Sequence, residues 1–322
     1  MTRISPLLAA LAVVVALPAA PAQALIAKTW VSRTGSDAAA CTLAAPCATL
    51  QHAHDLTSSG GEIGVLNASD YLPLTITKSV HITNDSAGEA AITAPGGPTV
   101  VINGAVGDIV SLRGLVIDGE GAGTLGIIFN SGLALHVQNC VIKNFNAASA
   151  FGLLFEPTGN SQLFVSDTIV INNGSNAVSG GIEILPSGSG SANVVLDRVH
   201  LENNVDGLRI DGTLASAGNG AHVVVRESVM SGNAANGIRA VTAAGKPPAF
   251  AIVERSSMVN NLANGILADG PGATLLLKDS TVSRNNVGIS TVNSGQLISY
   301  RNNRINNNIG PDGTPTSLRT LR

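Results

Sequence analysis

An internal repeat dominates this sequence and limits the folds that are open to it. Closely related segments recur through the second half of the chain, at 196–210, 226–240, 254–268 and, in shortened form, 278–291. A glycine followed by Ile or Leu marks each copy, at Gly126, Gly152, Gly181, Gly207, Gly237, Gly265 and Gly288. An asparagine recurs at a similar spacing, at Asn173, Asn203, Asn233, Asn261, Asn285 and Asn308. A sustained period of this length is typical of a solenoid, in which each copy stacks on the next.

The pattern inside each copy predicts strands. Short apolar segments such as Val223–Val225 and Leu275–Leu277 alternate with corners rich in Gly, Asn and Ser. Strands this short should pair in parallel with their equivalents in the next copy, about 4.8 Å away. The sequence therefore predicts an all-β fold, a single right-handed parallel β-helix of about ten rungs. A leucine-rich repeat also has a periodic Asn, but its Leu-rich consensus is missing here.

Composition narrows the functions. The 322 residues include 18 Lys and Arg against 21 Asp and Glu, and only 3% are aromatic. Without a basic surplus, nucleic-acid binding of the usual kind is excluded. A hydrophobic content of 44% argues against disorder, and the core should be aliphatic.

The two ends differ from the repeat. Residues 1–24 have the pattern of a secretory signal peptide, with Arg3, an apolar run and an Ala-Gln-Ala cleavage site. This predicts a secreted or periplasmic protein, and no second long apolar run predicts a membrane span. Residues 25–61 should form an N-terminal cap, 62–310 the β-helix, and 311–322 a C-terminal tail with a frayed end.

The cap segment carries two further predictions. Residues 48–56 favour a short helix that covers the apolar core of the first rung. Cys41 and Cys47 can close a short loop as a disulfide in an oxidising compartment, or stay as free thiols. Cys140 is interpreted as a packing residue.

The N-terminal cap segment, taken together with the rungs, also resembles a known family. The segments 30–37, 45–51 and 60–63, together with the rungs, are similar to secreted bacterial right-handed β-helix proteins of the pectate-lyase-like superfamily. The resemblance implies the fold, but the superfamily includes lyases, hydrolases, epimerases and adhesins. The motif set of polygalacturonase-like members (Asn-x-Asp, Asp-Asp, Gly-His-Gly and Arg-x-Lys) is not present as a set, and neither is the Arg-x-Pro-x-x-Arg motif of pectate lyases.

A candidate site follows from the repeat alignment. The residue two after each glycine step should lie in one outward column, which reads Ile128, Leu154, Glu183, Arg209, Arg239, Leu267 and Ser290. Glu183, Arg209 and Arg239 would stack there, flanked by Asp206 and Asp211. Such a group could bind an anionic sugar or supply a lyase base with its charge neutraliser. The alternative is a surface salt-bridge ladder without a function.

Other columns are less informative. A second outward column should read Gln138, Ser166, Leu196, Arg226, Glu254, Lys278 and Arg301, with paired charges. His200 falls in a column of apolar residues and is expected to be buried, or to mark a local register slip; the alternative is a functional histidine at a corner beside Asn203. His81, His136 and His222 are isolated in the sequence, and no cofactor or metal site is predicted. The few Trp and Tyr residues lie toward the chain ends, which weakens the case for a sugar site on the middle rungs.

Three functions remain open. The first is a secreted β-helix protein that binds a glycan or another cell-envelope component, or acts as a scaffold, without turnover. The second is a polysaccharide lyase or glycoside hydrolase that acts on an acidic polysaccharide at the Glu183 column. The third is a purely structural rod.

Overall fold

The computed structural model describes residues 25–320, and the proposed signal peptide lies outside the described residues. Three parallel sheets wind around a common axis as the right-handed parallel β-helix that the repeat predicts, with about nine turns instead of about ten. Strands are numbered β1 to β31 in chain order, and each full turn contributes one strand to each sheet. No helix among residues 25–320 is long and apolar enough to cross a membrane.

The first sheet has twelve strands: β1 Ile26–Val31, β2 Thr57–Val65, β5 Val80–Thr83, β8 Ile109–Arg113, β11 Ala134–Gln138, β14 Asn160–Ser166, β17 Ser191–Asp197, β20 Gly220–Arg226, β23 Ala249–Glu254, β26 Ala273–Lys278, β29 Gln296–Tyr300 and β31 Ser317–Arg319. The second has ten: β3 Ser69–Tyr71, β6 Ala90–Thr93, β9 Val116–Asp118, β12 Val141–Lys143, β15 Ile169–Ile171, β18 His200–Glu202, β21 Val229–Ser231, β24 Ser257–Val259, β27 Thr281–Ser283 and β30 Arg304–Ile305. The third has nine: β4 Leu74–Ile76, β7 Pro98–Asn103, β10 Leu125–Ser131, β13 Phe151–Phe155, β16 Gly180–Ile184, β19 Asp206–Asp211, β22 Ile238–Val241, β25 Asn264–Asp269 and β28 Val287–Val292.

Alternation along each strand places the core between the three sheets. In β20 the side chains of Val223 and Val225 are buried while His222 and Val224 face outward. Equivalent inward positions of successive turns stack as aliphatic columns, for example Ile142, Val170, Leu201, Met230, Met258 and Val282. Four of the six phenylalanines, Phe129, Phe145, Phe151 and Phe155, also lie in this core.

One turn is displaced by a residue from the sequence alignment. Leu201, not His200, occupies the buried column, and His200 is exposed and paired with Glu202 at 2.9 Å. In the same turn Asn204, not Asn203, lies in the asparagine column. Two residues separate the ladder asparagine from the glycine step in this turn, Asn204 to Gly207, but three separate Asn233 from Gly237. Because the alignment was based on the glycine, it shifted this segment by one position.

The same shift corrects the second outward column. Asp197, not Leu196, pairs with Arg226, and Leu196 is buried. At the far end Leu277 pairs with Ser299, so Arg301 lies beyond the paired residues of β29. The charges nevertheless alternate between turns, because Arg226 Nε lies 3.4 Å from Asp197 and Lys278 Nζ lies 3.5 Å from Glu254.

Asparagines, all buried except the last, form a ladder at the corner between the second and third sheets. Each amide accepts a hydrogen bond from a backbone N–H of the preceding turn and donates Nδ2 to a neighbouring turn. The members are Asn173, Asn204, Asn233, Asn261, Asn285 and Asn308. The carboxylate of Asp312 accepts the last amide at 2.8 Å and closes the ladder. The buried corner is therefore satisfied from turn to turn.

Both ends of the described chain are covered. Helix α1, Leu50–Leu56, begins at Thr49, whose side chain accepts from the His52 N–H, and it buries Leu50, Ala53 and Leu56 against the first turns. A disulfide joins Cys41 to Cys47 beside it, with Cα atoms 4.6 Å apart. At the other end the tail is bonded rather than frayed. The N–H of Ile289 donates to the Asp312 carbonyl at 3.0 Å, and β31 pairs with β29.

Candidate functional site

The predicted site residues lie on the outer side of the third sheet. Glu183, Arg209 and Arg239 occupy equivalent positions in three consecutive strands, β16, β19 and β22. Together with Asp206, Asp211 and Asp269 they are called the ionic cluster below. The column in which the sequence placed Glu183, Arg209 and Arg239 is therefore the column that the strand register shows.

The ionic cluster consists of two separate pairings. Arg209 Nη2 donates to Asp211 at 2.7 Å, and its Nε lies 3.1 Å from Glu183 in an ion pair that lacks hydrogen-bond geometry. Arg239 instead donates to Asp269 at 3.0 Å. Sequence reasoning missed Asp269, although it ends the next strand, β25, at the position equivalent to Val241.

Asp206 lies near both arginines but forms an ion pair with neither of them. Its carboxylate accepts from the backbone N–H and the side-chain amide of Asn236, at 3.1 and 2.8 Å. Asn204-Val205-Asp206 does match the Asn-x-Asp element of the polygalacturonase-like set, taken alone. Because Asn204 is a ladder residue and Asp206 bonds to Asn236, both side chains serve the corner.

Burial sets the electrostatics of the ionic cluster. Glu183 is 5% exposed and Asp211 is 3% exposed, although both side chains lie on the outer side of the sheet, away from the core. Burial raises the pKa of Glu183 to about 7; Arg209 opposes this, and Asp211 reinforces it. Burial likewise raises the pKa of Asp206, against the hydrogen bonds from Asn236. Glu183 is thus a carboxyl group that gains or loses its proton near neutrality.

The charge balance of the ionic cluster is negative. It holds four carboxyl groups and two guanidinium groups, and its contacts pair both guanidinium groups with cluster carboxylates. An anionic sugar would approach surplus carboxylates and arginines that are already occupied. This arrangement therefore offers little to an acidic polysaccharide, and its strongest feature is the protonation of Glu183.

A second feature, missed in the sequence, lies on the outer face of the first sheet. Phe164 and Phe250, the two phenylalanines outside the core, both lie there. They line a depression of about 320 Å³, called the binding groove, whose outward residues include Gln162, Phe164, Asn193, Val195, His222 and Phe250. The rings of His222 and Phe250 are 5.8 Å apart, and His222 Nε2 lies 3.0 Å from the Asn219 carbonyl.

The alternation of inward and outward residues along β14 and β23 could have predicted the binding groove. Phe164 lies between the inward residues Leu163 and Val165, and Phe250 lies between Ala249 and Ala251. Both were therefore recognisable as outward residues of the first sheet. The sequence analysis assigned sugar stacking to Trp and Tyr alone, and phenylalanine rings on an outward face can stack in the same way.

One close group of potential metal ligands occurs within residues 25–320, in the cap. Ligand atoms of Cys41, Cys47 and His52 lie within 4.8 Å of one another. Both sulfur atoms are bonded to each other, so neither is available as a thiolate. The group therefore does not fit a metal site while the disulfide is intact.

Comparison with known proteins places the fold. No family model matches the chain, and no curated protein matches its sequence. Among solved structures, pectate lyase Pel9A is similar with a TM-score of 0.64 and 13% identity, covering 92% of this chain and 79% of that one. An alginate lyase from a Paenibacillus species matches with a TM-score of 0.47 and 13% identity, over 86% of this chain and 98% of that one. At these identities the likeness concerns the fold alone, and the chain has the pectate-lyase-like right-handed parallel β-helix fold that its opening segments resemble.

Proposed function

We propose that this protein is a secreted glycan-binding β-helix that holds a neutral saccharide in the binding groove without turning it over. The observation that carries the proposal is the placement of Phe164 and Phe250 in an aromatic-poor chain. The partly exposed ring of Phe250, and the face of Phe164 that His136 does not cover, can pack against the C–H side of a sugar ring. The amides of Gln162 and Asn193 can donate to and accept from hydroxyl groups beside them.

The charge of the binding groove favours a neutral ligand. Its outward lining residues carry amide, imidazole, phenyl and aliphatic groups, with no carboxylate and no guanidinium among them. The nearest charged column is internally paired, as in Asp197 with Arg226. Without a carboxyl pair in the groove, acid–base cleavage of a glycosidic bond has no residues to perform it there.

Affinity electrophoresis tests the proposal. Gels containing a neutral glucan, polygalacturonate or alginate would be run with the wild type and with Phe164→Ala and Phe250→Ala. Ile298→Ala is the matched control, since it shortens an outward residue in the same column as Phe164, away from the groove. We expect the neutral gel to retard the wild type and the control but not the two groove variants. Equal mobility of the wild type in all gels would overturn the proposal.

A second candidate function is glycoside hydrolysis at the ionic cluster. The raised pKa of Glu183 favours it, because a carboxyl group protonated near neutrality can act as a general acid. Release of reducing ends from the same polymers would be compared between the wild type and Glu183→Gln. Turnover by the wild type that Glu183→Gln abolishes would favour this candidate over a pure binding role. Absence of turnover from every polymer would remove it.

Secretion and the disulfide belong to the same proposal. Export would bring Cys41 and Cys47 into an oxidising compartment, where the bond between them persists. Protein recovered after export should begin at Leu25 by mass spectrometry. After unfolding, one thiol, that of Cys140, should react before reduction and three after it. An intact N-terminus or three reactive thiols would contradict this part.

A further inference from the structure

A second depression lies on the first sheet, nearer the N-terminal end than the binding groove. His81, Ser111 and His136 occupy equivalent positions on the consecutive strands β5, β8 and β11. All three side chains face outward, because the residues on either side of each are buried. They line a depression of about 310 Å³ together with Ile109, Gln138 and Phe164, which also lines the binding groove.

The aromatic side chains beside this depression lie at equivalent positions of neighbouring strands, so the strand spacing sets the distance between their rings. The ring of His136 stacks on that of Phe164, in the next strand, with centroids 4.7 Å apart and planes 12° from parallel. On the other side of His136 the row continues with Ser111 and then His81. The backbones that carry the two imidazoles are two strand steps apart, roughly 9.6 Å. The row therefore runs ring, small side chain, ring, ring, with space for one ring above Ser111.

The polar groups around this space have no internal partner. The side chains of His81, Ser111 and His136 make no hydrogen bond to any residue between 25 and 320. Burial lowers the pKa of His136, and His81 nearby lowers it further, so this ring favours the neutral form. A neutral imidazole with an unoccupied face is suited to stacking.

We infer that His81, Ser111 and His136 form a slot that binds one flat aromatic ring. A ring held above Ser111 would lie about one strand spacing, roughly 4.8 Å, from each imidazole, which matches the stack of His136 on Phe164. The slot adjoins the binding groove, because Phe164 lines both depressions. The space for the bound ring nevertheless lies on the other side of His136 from Phe164, and it takes a different class of ligand.

The floor of the slot selects an aromatic ring over a sugar. Ser111 offers one hydroxyl group there, and Ile109 presents an apolar side chain that is 37% exposed. The flat faces of the two imidazoles offer no hydrogen-bonding atoms to the hydroxyl groups of a pyranose ring inserted between them. A floor with one hydroxyl group cannot pair them all, which costs free energy for each unpaired group. An aromatic ring buries only C–H edges against the same floor.

Histidine NMR tests the slot with small probes. Protein labelled at histidine would be titrated with p-cresol, and with methyl glucoside as the sugar arm. We expect p-cresol to cause saturable ring-current shifts at His81 and His136, with little change at His200. Ser111→Ala should retain this response, because it leaves the space open. Ser111→Phe should weaken binding at least tenfold, because its own ring fills the space.

The variants separate the slot from general effects. Ile298→Phe adds a ring to the same column far from the slot and should bind p-cresol like the wild type. His81→Ala removes one wall and should also weaken binding at least tenfold, which keeps the test valid if Ser111→Phe fails to fold. Absence of saturable shifts, undiminished binding by Ser111→Phe or His81→Ala, or an equal response to methyl glucoside would each overturn the inference. None of these results depends on polymer binding in the groove.

Discussion

Glu183 lies on the outer side of the third sheet and is nevertheless almost completely covered. Burial disfavours its charged form, and the single nearby guanidinium group of Arg209 is shared with Asp211. The result is a pKa of about 7. A carboxyl group with a raised pKa stabilises the fold while it is protonated and costs stability when it ionises.

The sign of this effect gives a pH-dependent prediction. The contribution of Glu183 is fully present below its unfolded pKa, about 4.5, and is lost as the pH rises through about 7. Above that range the loss approaches about 3 kcal/mol. Glu183→Gln, which keeps a neutral side chain at every pH, should remove this part of the decline. Urea unfolding at pH 5 and pH 8 measures it, with the exposed Glu89→Gln as the control. Parallel pH profiles of wild type and Glu183→Gln would contradict the prediction.

The position of these residues was predictable and their environment was not. The glycine steps place Glu183 and Arg209 in one column, because a residue's offset from a repeated glycine is local information. Burial depends on the corners on either side of the strand, whose lengths vary between turns. The pairing of Arg239 with Asp269 depends on which neighbouring turn the side chain reaches.

The asparagine ladder joins successive turns at the corner between the second and third sheets. Asn233 donates to the Leu201 carbonyl and to Asn261, at 3.1 and 2.8 Å, and accepts from the Asn204 N–H at 2.9 Å. Asn233→Ala would leave these buried groups without partners, and we expect a loss of about 3 kcal/mol in the free energy of unfolding. Asn286→Ala, at an exposed position of the same corner, should cost less than about 0.5 kcal/mol. If Asn233→Ala lowered the free energy of unfolding no more than the expected small effect of Asn286→Ala, the ladder would add no stability.

The cap helix contains a histidine that has to stay neutral. His54 is buried; its Nδ1 lies 3.1 Å from Asp55, and its Nε2 accepts from the Thr77 N–H at 3.3 Å. Burial lowers the pKa of His54, against the hydrogen bond with Asp55, and Lys78 lowers it further. Its contribution is present above the ordinary value of 6.5 and is lost as the pH falls through the lowered pKa.

Hydrogen exchange across the cap measures this effect. Protection of α1 and β4 should fall in wild type as the pH drops below 6.5, after correction for the intrinsic exchange rate. His54→Leu should be less protected at pH 7, because Thr77 N–H loses its acceptor, and should show no further acid-dependent loss. His52→Gln, on the same helix, should behave like wild type. An acid-dependent loss that persists in His54→Leu would rule out His54 as its source.

The sequence predicts strand positions well in turns whose sequence closely resembles that of the next turn. The strands of the turns around Met230 and Met258 follow directly from alternation and spacing. The turn around Leu201 was displaced because its corner is one residue shorter than the following one. A period read from a single residue type cannot detect such a change, but the alternation of Leu196, Val199 and Leu201, all buried, could have.

The whole molecule is a stack in which each turn contacts mainly the turns before and after it. Alternating charges at the ends of the first-sheet strands reinforce this stacking, since Asp197, Arg226, Glu254 and Lys278 occupy equivalent positions. Each of these pairs is partly exposed and worth little alone. Their alternation disfavours a shifted register, because like charges would then meet. The fold was predictable from the sequence because stacking of equivalent turns requires only a local pattern that repeats along the chain.

Nearest-neighbour stacking also predicts how damage spreads. Ile238 is buried in β22 and packs in the column between Leu208 and Ile266. Ile238→Ala should cost about 3 kcal/mol, with Leu214→Ala, at a half-exposed position, as the control. Because repeat stability is a sum of turn and interface contributions, hydrogen exchange should rise most in β19, β22 and β25 and decline toward both ends. The cap helix should keep its wild-type protection. An equal rise across residues 25–320 would instead show that the β-helix unfolds as one cooperative unit.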